Sequence, residues 1–171
     1  EREYACEAEA VMEAGFSGLM PLKITAFDAY ANNRVVHECV KDFDELFDVS
    51  AAYNFLMQGR SGRGNKDGYS IRIATQELNE RNESAKLLII LSDGTPSAYS
   101  NYDDGICDVR DAVNEARNFG INVVVICFPD NLDDQQEIDE YKQMYGDDII
   151  ATEPQEIENE LLKVVENFYF K

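Results

Sequence analysis

Lys86-Leu87-Leu88-Ile89-Ile90-Leu91-Ser92-Asp93-Gly94-Thr95-Pro96 is the stretch that decides the fold. Leu87 to Leu91 is an uninterrupted aliphatic run with no polar alternation. A run so short and so apolar reads as a strand covered on both faces, as in a parallel sheet. Asp93-Gly94-Thr95-Pro96 ends it: the glycine lets the backbone turn sharply and the proline stops the strand.

Working outward, the pattern alternates. Downstream, a polar loop from Ser97 to Asp104 leads to a helix with Ile106, Val109, Val113 and Ala116 at helical spacing, stopped by Gly120. Val123 to Phe128 reads as a second buried strand and Gln135 to Tyr145 as a helix. Asp148 to Ala151 reads as a short strand. Pro154 opens a last helix with Ile157, Leu161, Val164 and Phe168 on its inner stripe.

Upstream, Ile71, Ala74 and Leu78 share the face of a helix that follows the glycine-rich loop Gly59 to Gly68. Asp42 to Gln58 is acidic and then aromatic, and reads as irregular and short helical structure. Phe43, Phe47, Tyr53 and Phe55 within it read as core residues. Leu22 to Tyr30 and Arg34 to Val40 read as a hairpin turning at Ala31-Asn32-Asn33. Glu1 to Gly15 is helical in pattern. A hairpin followed by alternating strands and helices implies an α/β, doubly wound, mostly parallel sheet with one antiparallel edge hairpin and helices on both faces. The 171 residues, without repeat or linker, read as a single domain.

Composition narrows the function. The net charge is −19, from 34 acidic and 15 basic residues. Such a surface repels nucleic acid and anionic membranes and attracts divalent cations or a basic partner. No apolar run reaches the roughly 18 residues of a membrane span. Cys6, Cys39, Cys107 and Cys127 form no CxxC pair, and Cys39 and Cys127 read as buried thiols. The cysteine usage and the lack of a signal segment place the chain in a reducing, cytoplasmic environment.

In open α/β sheets, sites form at the carboxyl ends of strands. Asp93 falls there, where its carboxylate meets a cation or caps a turn. Asp67, beside Asn65 in the glycine-rich loop, reads either as a helix cap or as a ligand for a hard cation. That loop is not a P-loop, because no Gly-Lys-Ser/Thr follows its glycines. His37, between Val36 and Glu38, reads as a strand-surface histidine. The pairs Asp103-Asp104, Asp133-Asp134 and Asp147-Asp148 read as solvated turn acids. Ser97, Tyr99, Ser100 and Tyr102 crowd the loop after Asp93 with hydroxyls and aromatics suited to an interaction surface.

At these residues the chain resembles a known family. Lys86 to Pro96 is similar to the fourth-strand signature of von Willebrand factor A (VWA) domains. Gly64-Asn65-Lys66-Asp67-Gly68-Tyr69-Ser70-Ile71-Arg72 resembles the Gly-Asn-x-Asp-Gly stretch of the branch that holds cobaltochelatase subunits and nitric-oxide-reductase activation proteins. Asp108 to Val113 and Gly120 to Val123 resemble that branch too. The resemblance implies a metal-ion-dependent adhesion site (MIDAS) holding magnesium, or Mn²⁺ or Ca²⁺, on the rim of the sheet. Asp93 matches its third-loop aspartate, and Asp67 stands where the family has a threonine. Asn65, Gly94, Thr95, Ser97 and Tyr99 would line the face that meets a partner.

No Asp-x-Ser-x-Ser loop of the family occurs here, and Asp48-Val49-Ser50 lacks a preceding apolar strand. The resemblance therefore implies a domain N-terminally incomplete relative to the family. Upstream residues, another chain or a rearranged fold would account for the first strand, and strand exchange between copies is one route.

The function so implied is that of a protein-interaction module, not an enzyme, working through a metal rim site with an AAA-type ATPase of the chelatase or MoxR kind. A structural domain with a vestigial metal site is the second reading. A phospho-acceptor enzyme using Asp93 is the third. Against it, Pro129-Asp130-Asn131 supplies no lysine after the later strand, and a hydrolase would lack a nucleophile–base pair.

Overall fold

The computed structural model describes residues 20–30, 34–46, 48, 50, 64–94 and 96–169. The helix read over Glu1 to Gly15, the turn at 31–33 and most of the aromatic segment lie outside them, as do Cys6 and Thr95.

Strands β1 (Ile24–Ala29) and β2 (Val35–Lys41) pair antiparallel, Phe27 opposite His37 and Ala29 opposite Val35. The chain then runs through helix α1 (Asp67–Asn79), β3 (Leu87–Ser92), α2 (Tyr102–Asn118), β4 (Asn122–Cys127), α3 (Gln135–Tyr145) and β5 (Ile149–Ala151). A 3-10 turn at Pro154–Glu156 leads into α4 (Ile157–Tyr169). Strands β3, β4 and β5 lie parallel in that order, Ile90 opposite Val125 and Cys127 opposite Ala151.

Alternation within these strands builds two apolar layers. Ile90, Val123, Val125 and Cys127 meet Ile71 of α1, Ile106, Val109 and Val113 of α2, and Tyr141, Met144 and Tyr145 of α3. On the other face, Ile126 meets Ile157, Leu161 and Val165 of α4, with Met20, Leu22, Ile89 and Ile150 packed around them. Helices therefore cover both faces of the parallel sheet, the doubly wound α/β arrangement. Among the described residues, no helix is long and apolar enough to cross a membrane.

The helix ends are specified locally. Asn101 caps α2 by accepting from the Asp103 amide, which starts the helix at Tyr102 and shortens the polar loop expected to reach Asp104. Asp134 caps α3, accepting from the amides of Gln136 and Glu137. Gly120, at φ 76°, takes the left-handed turn that lets the amides of residues 119–121 bond back to the last carbonyls of α2.

Among the described residues the hairpin pairs as a two-stranded antiparallel sheet and β3, β4 and β5 as a three-stranded parallel one. Two expectations need correction. The apolar run of β3 is not covered throughout, since Leu91 is 36% exposed. Among the described residues β3 has a paired neighbour on the β4 side alone, and α4 centres on Ile126 of β4. Cys39 is exposed, whereas Cys127 is buried as expected.

Candidate functional site

The start of α1 and the end of β3 meet at the carboxyl edge of the parallel sheet. Asp67 is the first residue of α1, and its side chain makes no capping bond. The capping role therefore falls away. Its carboxylate is buried, 2% exposed, and Oδ2 accepts from Asn65 Nδ2 at 3.1 Å. Burial pushes its pKa up to about 7, the charge of Asp93 adds to the rise, and the Asn65 amide works against it. The positive end of α1 also favours the ionised form. Asp93 is exposed in the turn after β3. The structure thus brings the two sequence-predicted carboxylates into one electrostatic neighbourhood from separate elements.

Asn65 and Ser97 stitch the two loops together. Asn65 Oδ1 accepts from the Ser97 amide at 2.6 Å and from Ser97 Oγ at 2.9 Å. The Asn65 amide donates to Ser97 Oγ at 3.3 Å, and its carbonyl accepts from the Ala98 amide at 3.1 Å. One residue earlier, the Gly64 carbonyl accepts from the Ala29 amide at 2.9 Å, which ties the end of β1 to the same point. Asn65 therefore orients Asp67 while anchoring the loop that follows Asp93.

The remaining predicted residues take different places. The Tyr99 hydroxyl donates to Asp108 Oδ2 in a short hydrogen bond, so it serves α2 and is not a free surface hydroxyl. Its pKa is raised by burial and by Asp108. Lys66 Nζ stands 5.6 Å from the Tyr99 ring centroid. The Gly94 carbonyl accepts from Ser92 Oγ at 3.1 Å. Thr95 lies outside the described residues.

Residues to which sequence reasoning assigned no role support this geometry. Arg72 of α1 bonds Asp108 at 2.7 Å and Glu115 at 2.8 Å, both on α2. A Cβ on Gly68 would lie 2.7 Å from Asp108 Cγ and 2.8 Å from the Asp108 carbonyl oxygen, so glycine alone lets α1 sit this close to α2. Asp108 stood in the sequence as the first residue of a stretch resembling the family branch, with no role attached to it. His37 also proves more than a strand-surface residue. Its Nε2 is 2.9 Å from Ser70 Oγ, and its ring stacks on Tyr69 at 5.8 Å. Burial pushes its pKa below the ordinary histidine value, against the pull of Glu77.

Among the described residues, no group of three or more His, Cys, Asp or Glu side chains could hold a metal ion. Two carboxylates with an open side remain, an oxygen donor set that suits a hard, partly hydrated cation such as Mg²⁺.

A family model described as "von Willebrand factor type A domain" matches residues 30–168. The chain is 36% identical over 91 residues to the protein YojO of Bacillus subtilis (strain 168), covering 53% of this chain and 14% of that one. It is 33% identical over 105 residues to protein NorD of Brucella suis biovar 1 (strain 1330), covering 60% and 16%. It thus spans about one sixth of the length of these relatives. Among solved structures, a von Willebrand factor type A structure from Catenulispora acidiphila aligns with TM-score 0.64 and 11% identity, covering 98% of this chain and 38% of that one. BatB from Bacteroides thetaiotaomicron aligns with TM-score 0.56 and 15% identity, covering 96% and 87%. At these identities the structural likeness is one of fold.

Proposed function

The chain belongs to the von Willebrand factor type A domain family, and from that premise we propose that it binds a partner protein through a divalent cation held between Asp67 and Asp93. One observation carries the reading. Two acidic side chains from separate elements lie within electrostatic reach of each other near the carboxyl end of β3, and one of them is almost fully buried. A buried carboxylate next to a second carboxylate is costly to keep ionised without a cation.

Asp67 and Asp93 would hold the ion, with Mg²⁺ the first candidate and Mn²⁺ or Ca²⁺ as substitutes. Asn65 fixes the rotamer of Asp67, and Ser97 fixes Asn65. A bound cation would supply a positive charge with an open coordination position, which an acidic side chain of the partner can fill. The chain's own groups bind and orient, and carry out no reaction. The motif likeness to the cobaltochelatase and nitric-oxide-reductase-activation branch, together with relatives named NorD, supports a denitrification-related role beside an AAA-type ATPase.

Thermal unfolding tests the reading. Mn²⁺ at about a hundred times its dissociation constant adds about 2.7 kcal/mol to a site that exists only in the folded state. The parent chain should therefore melt several degrees higher with Mn²⁺ than with EDTA, and Asp93→Ala should show no such difference. Equal shifts in both proteins would place the ion away from Asp93, and none in either would move the function to metal-free contacts. The absence of any shift favours the structural domain with a vestigial site, a reading supported by the lack of a three-ligand cluster among the described residues.

A further inference from the structure

Beneath the turn that carries Asp93 lies a pair of buried tyrosines from α3. Tyr145 is 1% exposed, and its hydroxyl hydrogen-bonds Ser92 Oγ at 3.2 Å. Ser92 Oγ in turn donates to the Gly94 carbonyl at 3.1 Å. The main-chain carbonyl of Ser92 accepts from the Phe128 amide at 3.0 Å, which ties the same residue to the chain leaving β4. Ser92 precedes Asp93 and Gly94 follows it, so these bonds grip the backbone on both sides of an exposed carboxylate.

Tyr141 supplies an internal contrast. It stacks on Tyr145 with ring centroids 6.5 Å apart, is equally buried, and its hydroxyl finds no hydrogen-bond partner among the described residues. Among the described residues, one hydroxyl of the stack is bonded to the turn and the other is not.

We propose that Tyr145 and Ser92 form a buried hydrogen-bond relay that positions Asp93, and so sets how tightly the rim holds its cation. This deepens the cation reading above and rests on it. A turn residue keeps two soft dihedrals, and a carboxylate contributes to a site only when those dihedrals hold it in place before the ion arrives. The relay provides that restraint from the core side, where water does not compete for the bonds.

Tyr145→Phe and Tyr141→Phe each delete one hydroxyl from the same stack and keep the rings, so they separate positioning from packing. Mn²⁺ affinity, read by calorimetry, should fall about five- to tenfold in Tyr145→Phe, the loss of roughly one hydrogen bond. Tyr141→Phe should bind as the parent does. Amide exchange across residues 93–98 should quicken in Tyr145→Phe, with α2 unchanged, and stay at the parent rate in Tyr141→Phe. If the two variants behave alike in both measurements, the relay is wrong. If the parent takes up no ion, the cation reading fails by itself. Amide exchange then decides the relay alone, which stands if the variants differ and falls if they match.

Discussion

Asp67 is where residue-level chemistry matters most. The folded protein holds its proton up to about pH 7, whereas the unfolded chain releases it near the ordinary carboxylate value of 3.8. Between those values the folded state binds more protons. The ion-free protein should therefore lose stability as pH rises from about 4 to 7 and level off above, by up to about 4 kcal/mol from this group. Denaturant unfolding in EDTA across that range measures the slope. Asp67→Asn keeps the shape, removes the charge and should flatten it. At pH 8 the variant should unfold at higher denaturant than the parent while losing its response to Mn²⁺. Both carboxylates were legible in the sequence, because one ends an apolar strand and the other opens a helix after glycines. Their proximity was implied by the family resemblance, but the embedding of Asp67 with Asn65 rather than in a capping bond was not legible. His37 and Cys39 show the same limit: alternation puts residues on opposite faces of a strand, but does not say which face another element covers.

The element scale is governed by how α1 docks on α2. Gly68 lets the helices approach, and Arg72 reaches across to Asp108 and Glu115. Gly68→Ala must push α1 outward and carry Asp67 with it, at a cost of about 1–3 kcal/mol by overpacking. Chemical denaturation should show that loss, and Mn²⁺ affinity should fall in the same variant. Truncating the cap Asp134→Ala should cost about 1 kcal/mol and leave Mn²⁺ binding unchanged, since Asp134 caps the end of α3 opposite Tyr145. The helices were readable because their apolar stripes are long and regular, and Gln135–Tyr145 falls as its periodicity predicts. The opening turn of α2 was read as loop, because Tyr102, Asp103 and Asp104 are polar and the Asn101 cap that starts the helix resembles any loop asparagine.

At the scale of the whole molecule, alternation of strand and helix gave the doubly wound class. Hydrophobic pattern does not say which edges pair, so the order β3–β4–β5 within the parallel sheet was not legible. The parallel sheet depends on its central strand. Ile126 faces α4 with no exposure, and Ile126→Ala should cost about 2–5 kcal/mol in equilibrium unfolding. The net charge of −19 acts over the same scale, favouring cations and basic surfaces near the rim. The most direct test of the central claim is a calorimetric titration of Mg²⁺ and Mn²⁺ into the parent chain and into Asp93→Ala. The account predicts one ion bound by the parent and none by the variant. Equal uptake by both, or no uptake by the parent, would contradict it.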